Sequence, residues 1–326
     1  MKTRRLFPSL TSLITLTIIF LGACSPQVAK TSEPVREPVT IKFAVLPILD
    51  ALPMYVAQQE GYFASQNVIL EFIPVSSAAE RDQVMAAGQA DAMINDLVST
   101  LFYNQDEIQI RIVRFARTAT PEFPQYRVLA AGNSSITGVE DLKGVEIGIS
   151  EGSVIAYTTD RLLEAAGLAP EEITTIAVPK IADRLALLNS GELRAANLPD
   201  PLSSLAIQNG ALPIIDDTTH PEYGNSLISF RKAFIDEHPE AVKGFLAAVE
   251  EAVDEINSDP TRWSDLLTER QLVPAPLIGT YKIPTFPSAS VPSQAQWDDV
   301  LAWAKDKGLI KSDVSYSESV DESFLP

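Results

Sequence analysis

Two serine pairs are the most suggestive chemical feature of this 326-residue chain: Ser76 with Ser77, and Ser150 with Ser153 on either side of Gly152. Each pair follows an apolar, strand-like run and precedes a helix-like one. A serine there either caps the helix, which contributes about 1 kcal/mol, or joins free backbone N–H groups in clasping an oxyanion or polar ligand group. Glu151, inside the second group, sits awkwardly for an anion. Asn95 and Asp96 form another polar pair, suited to a solvated turn or to recognising an amine or amide. Asp200 lies between Pro199 and Pro201, so its carboxylate is either a ligand acceptor or part of a rigid turn. Arg117 offers a planar fork for a sulfonate or carboxylate. Yet Arg111, Arg114 and Arg117 recur at every third residue and read together as a charged surface. Tyr55 and Tyr157 are placed to flank a planar or aliphatic ligand, with plain packing the simpler role; Trp263, Trp297 and Trp303 fall in a helical tail.

Catalysis has little support. The two histidines, His220 and His238, stand in different contexts, and no Cys/His cluster has metal-ligand spacing. The Gly-x-Ser-x-Gly elbow is absent, as are the phosphate loop and the Gly-x-Gly-x-x-Gly turn. Among 43 acidic residues no pair is marked out for glycoside chemistry. No cofactor and no metal is expected.

These loops need a scaffold, and the hydrophobic pattern supplies one. Strand-like runs at 40–46, 68–73, 91–94, 108–115 and 127–130 alternate with helix-like runs at 53–60 and 78–87 and one starting near 97. The pattern restarts with strands at 145–149, 173–178, 194–198 and 212–215, interleaved with helices at 154–166, 181–189 and 201–209. One more strand at 227–230 precedes a largely helical remainder at 238–257, 263–267 and 294–307. Such alternation predicts mostly parallel sheet with helices on both faces. Ligands then bind beyond the carboxyl ends of the strands, where the polar loops fall. The helical tail is too poor in strands to form a third lobe, so it is expected to return to the first. The organisation predicted is a first-lobe segment at 40–125, a second lobe at 126–217 and a return at 218–326, with crossings near 120–132 and 216–226.

The N-terminus reads differently. Lys2, Arg4 and Arg5 precede an apolar run over 10–21 that is short of the roughly 20 residues needed to span a bilayer. Leu21-Gly22-Ala23-Cys24 closes it, and Cys24 is the only cysteine of the chain. The segment closely resembles the bacterial lipoprotein box. That resemblance implies a cleaved signal at 1–23, acylation of Cys24, a tether at 24–39 and an extracytoplasmic, membrane-anchored body. Multiple acyl chains make such attachment essentially permanent. The formal net charge is −18, and losing Lys2, Arg4 and Arg5 takes it from −18 to −21. A chain this acidic, with no concentrated basic surface, argues against a nucleic-acid partner.

A second resemblance covers residues 41 to about 249. Glu60-Gly61-Tyr62-Phe63 follows Leu46-Pro47 by about 14 residues, then come Val68-Ile69-Leu70-Glu71-Phe72 and Ser76-Ser77. Ala87-Gly88-Gln89-Ala90-Asp91-Ala92, Asp141-Leu142-Lys143-Gly144 and Ile147-Gly148-Ile149-Ser150 continue the series. In order and spacing these pieces resemble the substrate-binding proteins for nitrate, sulfonates, taurine and thiamine-pyrimidine precursors. The resemblance implies an α/β, bilobal type II periplasmic-binding-protein fold: two open mixed sheets flanked by helices, with a cleft between lobes. It implies a monomer without enzymatic activity that delivers solute to an ABC permease and its ATPase. By position, solute would meet Pro47, Ile48, Leu49, Ser76, Ser77, Asn95, Asp96, Ser150, Gly152, Ser153 and Asp200. The chain shows no clear basic cluster, which weakens nitrate, sulfonate or taurine and favours a small organic nitrogen- or sulfur-containing solute. A pyrimidine-synthesis enzyme of the same superfamily and a non-transport sensory module are the other classes considered.

Overall fold

The computed structural model describes residues 37–326. The signal at 1–23, Cys24 and most of the tether lie outside the described residues. The first sheet runs β2-β1-β3-β10-β4. It is built from β1 (Val39–Val45), β2 (Val68–Pro74), β3 (Ala92–Asn95), β4 (Ile110–Thr118) and β10 (Asn225–Arg231). β1 is parallel to β2 and β3, while β10 is antiparallel to β3 and β4. The second sheet repeats this order as β7-β6-β8-β5-β9. Its strands are β5 (Tyr126–Ala130), β6 (Glu146–Ile149), β7 (Thr174–Ala177), β8 (Ala195–Pro199) and β9 (Leu212–Asp216). β6 is parallel to β7 and β8, and β5 is antiparallel to β8 and β9. The chain passes between sheets twice, at 119–125 and at 217–224. Two mixed sheets of this kind, flanked by helices, are the bilobal type II periplasmic-binding-protein fold.

Local sequence explains most elements. In β1, exposed Thr40 and Lys42 alternate with buried Ile41 and Phe43, the period of a strand with one face in the core. α1 (Leu52–Gln59) stops ahead of Gly61, whose φ of +78° glycine reaches without a Cβ penalty. α2 (Tyr62–Ser65) then turns the chain back. There Phe63 stacks on Phe245 at 5.3 Å and the Tyr62 hydroxyl donates to Glu255 at 2.5 Å. Ser77 caps α3 (Ala78–Ala86), Asp96 caps α4 (Leu97–Asn104) and Ser153 caps α5 (Val154–Ala165), each accepting a backbone N–H. α6 (Ile181–Ser190) and α7 (Leu202–Gln208) complete the second lobe.

After β10 come α8 (Lys232–Glu237), α9 (Pro239–Ser258), α10 (Ser264–Glu269), α11 (Gln294–Asp306) and α12 (Tyr316–Ser319). α9 covers the first sheet, where Phe245 meets Phe43 and Phe230. Burying such a ring contributes about 1.5–3 kcal/mol. α11 lies on both lobes. Trp297 and Trp303 share one apolar cluster with Leu97 and Leu101 of α4 and with Val154 and Tyr157 of α5. Arg161–Asp299 at 2.9 Å and Trp303 Nε1–Asp160 at 2.8 Å add polar ties to the second lobe. Among the described residues no helix is long and apolar enough to cross a membrane.

The reading of Arg111, Arg114 and Arg117 as a charged surface is overturned. β4 extends to Thr118, and both Arg114 and Arg117 are buried. Glu250 of α9 reaches over Arg114 at 2.6 Å, and Arg117 lies beneath the first crossing. Arg111 keeps partial exposure and pairs with Asp321.

Candidate functional site: a cavity between the lobes

A cavity of about 70 Å³ lies where the strand ends of the two sheets face each other. That is room for about five water-sized spheres. The first lobe contributes Leu46, Ile48 and Asp50 after β1, Ala78 and Arg81 from α3, and Ile94, Asn95 and Asp96 at the end of β3. The second lobe contributes Ser150, Ser153, Val154 and Ile155 around the start of α5, with Ile181 and Arg184 from α6. Pro199 and Asp200 at the end of β8 complete that wall. Gln125, Tyr126 and Ser226 close it beside the crossings. Helix N-termini from both lobes therefore reach the same space, and their free N–H groups favour negative charge.

Of the residues singled out from sequence, Ile48, Asn95, Asp96, Ser150, Ser153 and Asp200 are brought together on the wall. Others fall elsewhere. Leu49 is fully buried in the first core, and Pro47 lines a separate groove with Pro201 and Leu202. Ser76 is exposed and donates its hydroxyl to Glu80 at 2.5 Å, while the Ser77 hydroxyl accepts the Glu80 N–H. Gly152 adopts φ +63° with Phe102 so close that a Cβ would sit 3.3 Å from the ring. Tyr55 packs on Phe72 at 4.4 Å with Arg270 over its face. Tyr157 is buried, donates to Asp299 and meets the edge of Trp303. Neither tyrosine lines the cavity.

The fold also gathers buried arginines that were not read as a cluster. Arg117 sits behind the wall, 3.5 Å from Asp50 and 3.8 Å from Asp200. Asp50 further accepts from Ser226 Oγ at 2.6 Å and from Gln125 Nε2 at 3.4 Å. Asp200 pairs with Arg127 at 2.8 Å and accepts from Ser204 and from the Tyr281 hydroxyl. Burial acts to raise the Asp200 carboxyl, but Arg117 and Arg127 together hold it below the usual carboxylate value. Asp96 is pushed upward by burial, which outweighs Arg81 and the Ser99 N–H. Arg81 pairs with Asp82 at 2.8 Å and with Asp96 at 3.5 Å. Arg184 has no carboxylate partner. Its Nε donates to the Asn197 carbonyl at 2.8 Å and its Nη1 to the Val178 carbonyl at 2.7 Å. Burial pushes the Arg184 guanidinium down to about 10.

The sequence signal for Arg81 and Arg184 is positional. Each is the fourth residue of a helix that begins just past a strand's carboxyl end. Among the described residues, no group of three or more His, Cys, Asp or Glu side chains is placed to hold a metal ion.

Fold and cavity together describe a two-lobed protein with a polar-lined cavity between its lobes. The chain belongs to the NMT1/THI5-like family, whose model matches residues 49–262. It is 30% identical over 155 residues to an Escherichia coli (strain K12) protein named for binding aliphatic sulfonates. That match spans about half of each chain, 47% of this one and 48% of the relative. Riboflavin-binding protein RibY of Chloroflexus aurantiacus is 22% identical over 81% of this chain and 78% of its own. The alkanesulfonate-binding protein SsuA from Xanthomonas axonopodis pv. citri, solved with MOPS bound, superposes with a TM-score of 0.74 at 16% identity. That superposition covers 88% of this chain and 99% of the other.

Proposed function

We propose that this protein is the solute-binding component of an ABC importer, capturing a small organic nitrogen- or sulfur-containing solute between its lobes and handing it to the permease. The observation that carries this reading is that both lobes supply polar groups to one cavity: Asn95 and Asp96 from the first, Ser150, Ser153 and Asp200 from the second. A solute touching both sets favours the closed arrangement by its differential contacts. Membership of the NMT1/THI5-like family supports a binding role over an enzymatic one. The two chain crossings at 119–125 and 217–224 give the lobes their pivot.

Cys24 is proposed to hold the body to the extracytoplasmic membrane face through lipid, with residues 1–23 removed. Intact-mass measurement of membrane-extracted protein should show that loss together with added acyl mass; an unmodified Cys24 defeats the anchor. For the binding role, solution scattering with and without solute should show a smaller radius of gyration on binding. Turnover of a bound solute by the purified protein would overturn the reading.

A further inference from the structure

Arg81 and Arg184 occupy the same place in the two lobes. Arg81 is the fourth residue of α3, the helix entered from edge strand β2; Arg184 is the fourth residue of α6, entered from edge strand β7. Both line the cavity, and their exposures are 3% and 0%. Their surroundings differ. Arg81 has Asp82 and Asp96 as counterions. Asp96 follows β3, and the residue that follows β8 at the matching place is Asp200. Asp200 is drawn instead to Arg127, Arg117 and Tyr281. Arg184 is left with two backbone carbonyls, and its Nη2 is buried without a hydrogen-bond partner.

An arginine cannot discard its charge at physiological pH. A buried ion without a counterion is costly, and the cost is relieved by a partner that brings the opposite charge and an acceptor oxygen. Each carboxylate of the wall already has such a partner: Asp50 has Arg117, Asp96 has Arg81, and Asp200 has Arg127. One positive charge in the wall is uncompensated. The start of α5 lies on the same side of the cavity, and the positive end of a helix favours a negative group there; the Ser153 hydroxyl itself is held by the Ser150 carbonyl.

We propose that Arg184 is the charge anchor of the solute site and that the solute carries one negative charge on a small oxyanion group, a sulfonate or carboxylate, bound on the second-lobe wall. This rests on the cavity being the solute site. It restores the sulfonate class that the lack of a basic cluster in the sequence had weakened.

The test is calorimetric titration of the full-length protein with matched pairs. Methanesulfonate is set against dimethyl sulfone, acetate against acetamide, and MOPS and taurine extend the sulfonate arm. At least one anion should bind at least 100-fold more tightly than its neutral partner. Arg184→Gln should lose that anion by a similar factor, and Arg184→Lys should recover part of the loss. If Arg184→Gln does not fold, the wild-type pairs decide alone. Sulfonates binding without carboxylates, or the reverse, names the head group. Equal binding of a neutral partner, or full anion affinity in a folded Arg184→Gln, overturns the inference. Binding of riboflavin or a pyrimidine precursor with no anion bound overturns it while leaving the importer reading intact. No compound bound at all counts against both.

Discussion

The two lobes repeat one strand order, β2-β1-β3-β10-β4 and β7-β6-β8-β5-β9, yet distribute charge differently around their shared cavity. On the first-lobe wall, Arg81 is followed by Asp82 and faced by Asp96. On the second, Asp183 precedes Arg184 and lies exposed, without reaching it. One helical residue rotates the side chain by about 100°, so the order Arg-Asp or Asp-Arg decides which side of the guanidinium a neighbour occupies. The comparison teaches that residue type and topological place do not settle a buried arginine's role. The carboxylates brought to it do, and where none comes the charge is open to a ligand.

The sharpest way to break this contrast is to remove the cations one at a time. Arg117→Met leaves Asp50 and Asp200 without their shared counterion, so unfolding by urea should show a loss of about 3–5 kcal/mol. Arg184→Met strands no carboxylate, and losing an uncompensated buried charge offsets part of what its two carbonyls lose, so it should cost less, at most about 1–3 kcal/mol. Equal losses would erase the distinction between paired and unpaired arginines.

Asp217, on the second crossing, is the anionic counterpart of Arg184. Its Oδ1 accepts the N–H groups of Gln125 at 2.8 Å and Tyr126 at 3.2 Å, and its Oδ2 has no partner. Burial raises it from an ordinary 3.8 to about 6. A carboxylate can take up a proton where an arginine cannot lose one. Its stabilising contribution is fully present below about pH 4 and disappears as pH rises through about 6. The size is on the order of 3 kcal/mol. Asp217→Asn should flatten that part of the stability–pH curve; an unchanged difference between variant and parent from pH 4 to 7 would contradict it.

Smaller effects sharpen the comparison between walls. Tyr281→Phe removes the hydroxyl donor from Asp200 and should cost about 1–3 kcal/mol. Without that donor the Asp200 carboxyl should titrate higher, a change visible by NMR. Ser153→Ala removes the cap of α5 and should cost about 1 kcal/mol. If Ser153 also meets solute, affinity falls with stability; if it only caps, affinity stays.

Much of the scaffold is legible in the sequence. Strand alternation, the Gly61 turn and the serine and aspartate caps are local, set by periods of two or 3.6 residues and by bonds a few residues apart. That is why Ser153 could be placed at a helix start, whereas Asp96, read with Asn95 as a solvated turn or an amine-recognising pair, is buried and caps α4; both fall near strand ends on the cavity wall. Even so, loop position did not settle side-chain direction. Ile48 reaches the cavity while its neighbour Leu49 turns into the core, and Ser76 and Ser77 are taken up by Glu80.

The chain by itself determined the alternating elements, the caps and the loops that border a site, because those depend on short-range sterics and hydrogen bonds. Only the tertiary structure decided the electrostatics. It turned Arg114 and Arg117 inward, gave Asp200 to Arg127 rather than Arg184, and laid α11 across both lobes. Each of those outcomes joins residues that are distant in sequence and meet only when two sheets close on one cavity. A charge's partner is fixed by distance in space, which no spacing along the chain records.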